Sequence, residues 1–216
     1  MSDLSYRLVK MVGTPIFWSS SKPVILHVER AAMEGGYILA GNHLSYFDAP
    51  VLIRHTPRQI DFMAIDESRK HPTVRRLIEW CNSFYVSRDR RDLGAMREAL
   101  RRLKRGRVVG IFPEGGVRDS AHSVLRGGPL RLDIARLAEI ANVPILPSVI
   151  LGTAQYLRVA NWLPLGKTHY GIIYGQPIRT NGQTPEAVIR NLSQVYSSLC
   201  QELLAKMRWR EFDRRN

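Results

Sequence analysis

His43 and Asp48 stand five positions apart in the stretch Asn42-His43-Leu44-Ser45-Tyr46-Phe47-Asp48. An imidazole held by a carboxylate can take a proton from a hydroxyl, because its ordinary pKa near about 6.5 leaves the neutral form available at neutral pH. On a regular helix an offset of five sets two side chains roughly 140° apart, so the pair meets only where the chain turns. Asn42 and Ser45 favour such a turn, and Asp48-Ala49-Pro50 reads as a helix cap followed by a first-turn proline. By itself the segment is equally compatible with a capping aspartate and an ordinary loop histidine.

A second chemistry-bearing stretch is Phe112-Pro113-Glu114-Gly115-Gly116-Val117-Arg118, where an apolar run leaves for a Gly-rich turn. Glycines there allow close backbone approach, and their amides can face an anion or an oxyanion. The plainer alternative is a tight turn with a solvent-facing glutamate.

The elements that must position these residues follow from patterning. Apolar, β-branched runs bounded by Gly, Asn or Pro predict strands over Tyr37 to Ala40, Ile60 to Ile65, Phe84 to Val86, Val108 to Phe112, Val143 to Ile150 and Tyr170 to Tyr174. Helical spacing falls between them, over Ala49 to Arg54, Glu67 to Trp80, Leu93 to Lys104, Leu130 to Ala141 and Pro185 to Met207. The alternation implies a single α/β domain with a mainly parallel sheet flanked by helices. Near-continuous apolar strands such as Val108 to Phe112 suit a sheet covered on both faces. Ligands of such sheets gather at the carboxyl ends of the strands, where both His43 and Glu114 fall.

The 216 residues suit one such domain. Cys81 and Cys200 lack metal-ligand or redox spacing and read as core thiols. The uncharged stretch Ala141 to Leu157 is interrupted by Asn142, Pro144, Pro147 and Gln155, unlike a membrane-spanning helix. No secretory signal is evident at the amino terminus. Residues 1–25 form a segment in which Leu4, Leu8, Met11 and Val12 have helical spacing, before Pro15-Ile16-Phe17-Trp18. It reads either as a helix packed on the 26–216 domain or as an amphipathic, membrane-interfacial element. A net charge of +13 selects anionic partners, whether nucleic acid, a phospholipid surface or a phosphate-bearing substrate.

Three of these stretches, in order, carry a resemblance: Asn42-His43 with Asp48, then Phe112-Pro113-Glu114-Gly115, then Val143-Pro144-Ile145-Leu146-Pro147. They resemble three of the four sequence blocks of the glycerolipid acyltransferase family, and Asn82-Ser83-Phe84-Tyr85-Val86-Ser87-Arg88 is a weaker match to the remaining one. The resemblance implies a glycerol-3-phosphate acyltransferase-like fold and an O-acyltransferase of phospholipid biosynthesis. Its donor would be acyl-CoA or acyl-carrier protein, and its acceptor the free hydroxyl of a lysophospholipid such as 1-acyl-glycerol-3-phosphate. His43 would be the general base and Asp48 its orienting partner, with no metal and no bound cofactor. Arg88, Glu114, Gly115 and Arg118 would contact substrate, and amides around Gly115 and Gly116 would face the oxyanion. The family setting also implies a cytoplasmic protein, peripheral on the inner, anionic face of the membrane.

The sequence departs from the family in two places. The block after Gly115 usually continues Thr-Arg-Ser, whereas this chain has Gly116-Val117-Arg118, so the phosphate contact is not carried over directly. Arg118 can reach the same anion from one position later, or the acceptor is another lysolipid. Asn82 stands where the family usually has glycine. Among rival readings, a basic nucleic-acid-binding domain lacks an aromatic platform or reader motif, so no nucleic-acid partner is expected, and a serine hydrolase lacks a Gly-x-Ser-x-Gly elbow.

Overall fold

The structure is a computed structural model that describes residues 6–8, 10, 11, 15, 19–65, 75, 79–86, 92–118, 121–158, 161 and 167–212, apart from the side chains of 65 and 208–212. Seven strands build one sheet: β1 (Ser21–Leu26), β2 (Tyr37–Gly41), β3 (Ile60–Ile65), β4 (Phe84–Val86), β5 (Val108–Ile111), β6 (Ile145–Leu151) and β7 (Thr168–Tyr174). Their order across the sheet is β1-β7-β6-β2-β5-β3-β4. From β6 to β4 all neighbours are parallel; β7 runs against β6, and β1 pairs in parallel with β7. Four α-helices are described: α1 (Asp48–His55), α2 (Leu93–Lys104), α3 (Asp133–Ala141) and α4 (Pro185–Phe212).

Alternating residues of a strand point to opposite faces, and β2 divides accordingly. Ile38 and Ala40 join a cluster with Ala99 and Leu103 of α2, Ala138 of α3 and Leu192 and Tyr196 of α4. Tyr37 and Leu39 join the other, with Leu52 of α1, Val108, Leu146 and Tyr170. The sheet is therefore covered on both sides, as continuously apolar strands require.

The differences from the patterning have local causes. Strand β1 escaped notice because Lys22 and Pro23 interrupt its apolar run. As an edge strand it tolerates proline, whose missing N–H would break an interior ladder. Its last residues belong to the sheet, so the domain takes in part of the 1–25 segment. Strand β6 begins at Ile145 because Asn142 takes a left-handed turn at φ 52° and the Val143 N–H donates to Ala138 O. Helix α3 begins at Asp133 because Arg131 N–H donates instead to Pro113 O, 3.0 Å away. Most of the helix expected over Glu67 to Trp80 lies outside the described residues.

Part of the positive charge is structural. The buried Asp61 carboxylate accepts from Arg107 at 2.5 and 2.7 Å and pairs with Arg102 at 2.9 Å. Glu98 binds Arg101 and Arg102, and the Arg101 hydrogen bond is the main cause of its pKa being pushed down to about 2. The 88–91 cluster, like Arg214 and Arg215, lies outside the described residues. Near the amino terminus, buried Tyr6 accepts the Ile60 N–H and Lys10 donates to Thr56 O, while Leu8 and Met11 are exposed. Among the described residues no helix is long and apolar enough to cross a membrane.

Candidate active site

Three adjacent strands deliver the site. β2 ends at Gly41 and the next residues, Asn42 and His43, begin the loop that leads into α1. Asn42 is fully buried and ties that loop to β6, donating to Ile150 O at 3.0 Å and accepting from Ile150 N at 2.7 Å. His43 Nδ1 lies 3.1 Å from Asp48 Oδ2, so the turn closes the gap that a helix would leave open. Asp48 does not cap α1: it is the helix's first residue, and its carboxylate folds back to accept the Leu44 and Ser45 N–H groups, each at 2.8 Å.

The carboxylate is completely buried, and the second oxygen, Oδ1, accepts the Thr153 hydroxyl at 2.5 Å. Thr153 follows β6 by way of Gly152, whose φ of +84° turns the chain and where a Cβ would stand 2.5 Å from His169 O. Four donors thus hold one charge, which satisfies it without water. With Nδ1 committed to Asp48, the imidazole presents Nε2 as its second nitrogen. This nitrogen has no hydrogen-bond partner among the described residues.

The ring itself is held by stacking. Phe112 lies parallel to His43 at 4.0 Å between centroids, and Phe62 stacks behind Phe112 at 5.5 Å. These residues come from β3 and the end of β5, so the sheet's register sets the angle of the imidazole.

The Glu114 turn adjoins His43: the Arg118 N–H donates to His43 O at 2.8 Å. Glu114 is not solvent-facing. It is 3% exposed, and its Oε1 accepts from Ser123 Oγ at 2.9 Å and Val124 N at 3.1 Å. Burial pushes its carboxyl above the usual range, against the opposing pull of Ser123, Val124 and nearby His43. Gly115 has φ +73°, and its N–H closes the turn onto Phe112 O at 3.1 Å, so that amide is already engaged. Arg118 is exposed, with Nη2 donating to Glu114 O at 2.9 Å.

His43, Asp48, Glu114, Gly115 and Arg118 therefore come together, as the two sequence stretches required, while Arg88 lies outside the described residues. Thr153, Ser123 and Phe62 carry no motif of their own, and Phe112 belongs to the Phe112-Pro113-Glu114-Gly115 stretch without that stretch announcing its stacking on His43. Only the position of Thr153 just past a Gly-ended apolar strand could have drawn notice. No group of three or more His, Cys, Asp or Glu suited to a metal occurs among the described residues.

The partly buried His43 and the fully buried Asp48 thus stand at the carboxyl end of β2, inside a mostly parallel sheet covered on both faces. Residues 23–151 match the model of the acyltransferase family, and the chain belongs to that family. It is 25% identical over 132 residues to the 1-acyl-sn-glycerol-3-phosphate acyltransferase of Bacillus subtilis (strain 168), a match covering 61% of this chain and 63% of that protein. The chain thus spans less than two thirds of that relative's length. The crystal structure of the 1-acyl-sn-glycerophosphate (LPA) acyltransferase PlsC from Thermotoga maritima superimposes with a TM-score of 0.72 at 24% identity, covering 91% of this chain and 78% of that one. The fold of this chain, a single α/β domain with a mostly parallel seven-stranded sheet, is thus one that a solved acyltransferase structure matches.

Proposed function

We propose that this protein transfers an acyl group from an acyl thioester, of coenzyme A or of acyl-carrier protein, to the free hydroxyl of a lysophospholipid of the 1-acyl-glycerol-3-phosphate type. The observation that carries this reading is the 3.1 Å contact between His43 Nδ1 and a carboxylate that three further donors hold in place. Membership of the acyltransferase family and the activity named for the Bacillus subtilis relative support it.

In the proposed reaction the Nδ1–H faces Asp48, and Nε2 takes the proton of the acceptor hydroxyl as its oxygen attacks the thioester carbonyl. The tetrahedral intermediate collapses, the C–S bond breaks, and the departing thiolate recovers the proton from His43. Asp48 stabilises the imidazolium that exists between the two transfers. Both substrates are present together, so no acyl-enzyme forms. Gly116 is the remaining amide of the turn that can face the oxyanion, since the Gly115 N–H is held by Phe112 O. Exposed Leu8 and Met11 support a peripheral contact of the amino-terminal segment with an anionic membrane, on the cytoplasmic side.

The test is His43→Ala, which is expected to lower lysolipid-dependent release of free coenzyme A by about 10² to 10⁴, while circular dichroism stays that of the parent. Incubating the parent with labelled acyl thioester and a panel of lysolipids, followed by mass spectrometry of the products, identifies the acceptor. Near-normal turnover by the variant would refute the role of the imidazole.

A further inference from the structure

We propose that Arg131, with Arg118, clamps the phosphomonoester of the acceptor at the Glu114–Gly115 turn. The inference deepens the function proposed above and rests on it. Arg131 lies in the segment before α3, 16 positions after Gly115 and outside the chemistry-bearing stretches that the sequence singled out. Its backbone N–H donates to Pro113 O at 3.0 Å, which pins the residue beside the turn. Its side chain then crosses Gly115: a Cβ there would stand 3.3 Å from Arg131 Cδ and 3.7 Å from Nη1. Arg118 reaches the same turn, with Nη2 on Glu114 O at 2.9 Å. Two guanidinium groups from separate segments therefore converge on one turn, and the absence of a side chain at Gly115 makes the room.

Both groups are available to a ligand. Arg118 is exposed, and Arg131 is 58% exposed with its partner Asp133, itself 52% exposed, at 3.0 Å. An ion pair that open contributes little, so a dianion can replace it. Planar, permanently charged guanidiniums are suited to phosphate oxygens.

Geometry selects the acceptor's phosphate over the donor's. In a 1-acyl-glycerol-3-phosphate the reacting hydroxyl and the phosphate sit on neighbouring carbons, so the phosphate must bind close to the base. The Arg118 N–H lies 2.8 Å from His43 O, which puts the turn there. In acyl-CoA and acyl-carrier protein a long pantetheine arm separates thioester from phosphate.

The experiment uses the full chain with acyl-CoA as donor and two acceptors, 1-acyl-glycerol-3-phosphate and a monoacylglycerol without phosphate. Arg131→Gln is expected to raise KM for the phosphorylated acceptor about ten- to a hundredfold and to leave the KM values for acyl-CoA and for the neutral acceptor unchanged. Arg131→Lys, which keeps the charge and loses the fork, should fall between, and Asp133→Asn should not raise KM. Circular dichroism checks the fold. Glycerol 3-phosphate supplies a readout independent of turnover: it should raise the thermal midpoint of the parent and not of Arg131→Gln.

Parent turnover of the phosphorylated acceptor checks the functional reading separately. Given that turnover, an unchanged acceptor KM in Arg131→Gln, or a rise confined to acyl-CoA, overturns the clamp. If the parent is inactive on every lysolipid the functional reading fails, and equal protection of parent and variant by glycerol 3-phosphate then overturns the clamp as well.

Discussion

Asp48→Asn removes a charge from the site while nearly preserving its shape. The Asp48 oxygen that faces the loop accepts from Leu44 N and Ser45 N at 2.8 Å and from His43 Nδ1 at 3.1 Å; the other accepts the Thr153 hydroxyl. Two backbone donors leave no place for an NH₂ group, so the amide oxygen must face them and the nitrogen must face Thr153. That hydroxyl can turn to accept. The fold should survive, and the loss should fall on the charged intermediate. Coulomb's law at an effective dielectric of about 20 gives roughly 5 kcal/mol for an imidazolium and a carboxylate at this separation, as an upper bound. Charge-assisted hydrogen bonds measured by deletion give about 1.5–3 kcal/mol, and removing the carboxylate from a hydrolytic triad lowers kcat about 10⁴-fold. We therefore expect kcat and kcat/KM to fall together by about 10² to 10³, because the interaction is made chiefly in the transition state. The assay is acceptor-dependent appearance of free thiol from acyl-CoA. Thr153→Val, which removes one donor and leaves the charge, should lower kcat by only about three- to tenfold, and the double variant should be no slower than Asp48→Asn. A folded Asp48→Asn enzyme within about threefold of the parent would be incompatible with transfer through a His43–Asp48 pair.

Other perturbations read out the supports. Glu114→Ala should destabilise the fold by about 2–4 kcal/mol in urea titration, because Ser123 Oγ and Val124 N lose their acceptor in a buried place. Glu114→Gln keeps an acceptor and removes a pH dependence: burial raises the folded carboxyl's pKa, so the parent loses stability as pH rises from the unfolded carboxyl's range through the folded value. The glutamine variant should lack that decline. Gly41→Ala places a Cβ 3.2 Å from Phe112, whose ring stacks on His43, so a shift of the ring is passed to the imidazole. A displacement of that kind should lower kcat about tenfold with a smaller effect on thermal stability. Burial, with Arg54 and Lys10 nearby, pushes His55 down to about 4. Below about pH 6.5 the unfolded state takes up a proton the native state refuses, so stability should fall toward pH 4, by at most about 3 kcal/mol. His55→Gln should flatten this part of the stability profile, measured as urea midpoints at pH 7 and pH 5.

What was legible in the sequence was whatever a local period or a short motif encodes. The apolar runs located β3 and β4 to the residue, and Leu93 to Lys104 was bounded correctly because Asp92 caps it, accepting the Ala95 N–H at 2.9 Å. The turn from His43 to Asp48 followed from an offset that a helix cannot bridge. Partners set by non-local register were hidden. Thr153 reaches Asp48 across 105 positions because β6 lies beside β2, and no pattern near Thr153 announces that. The burial of Glu114 was hidden in the same way, because nothing in its own turn announces Ser123 and Val124, which bond its Oε1 from the next loop. β1 was concealed by Pro23, tolerable only because the strand lies at the sheet's edge.

The order of the strands explains why His43 stands where it does. After β2 the chain builds β3 and β4 to one side, returns to insert β5 against β2, and then crosses to place β6 on β2's other side. β2 is thus the strand from which later connections leave in both directions, and a crevice opens outside the carboxyl ends at such a point. Each wall of the crevice contributes one support: β5 leads into Phe112 and the Glu114 turn, and β6 leads into Thr153. Asn42 bonds both ways to Ile150, fixing the β2 loop against the β6 wall. The same placement orients the imidazole: Phe112 stacks on one face of the ring, and the buried Asp48 carboxylate holds its Nδ1 edge.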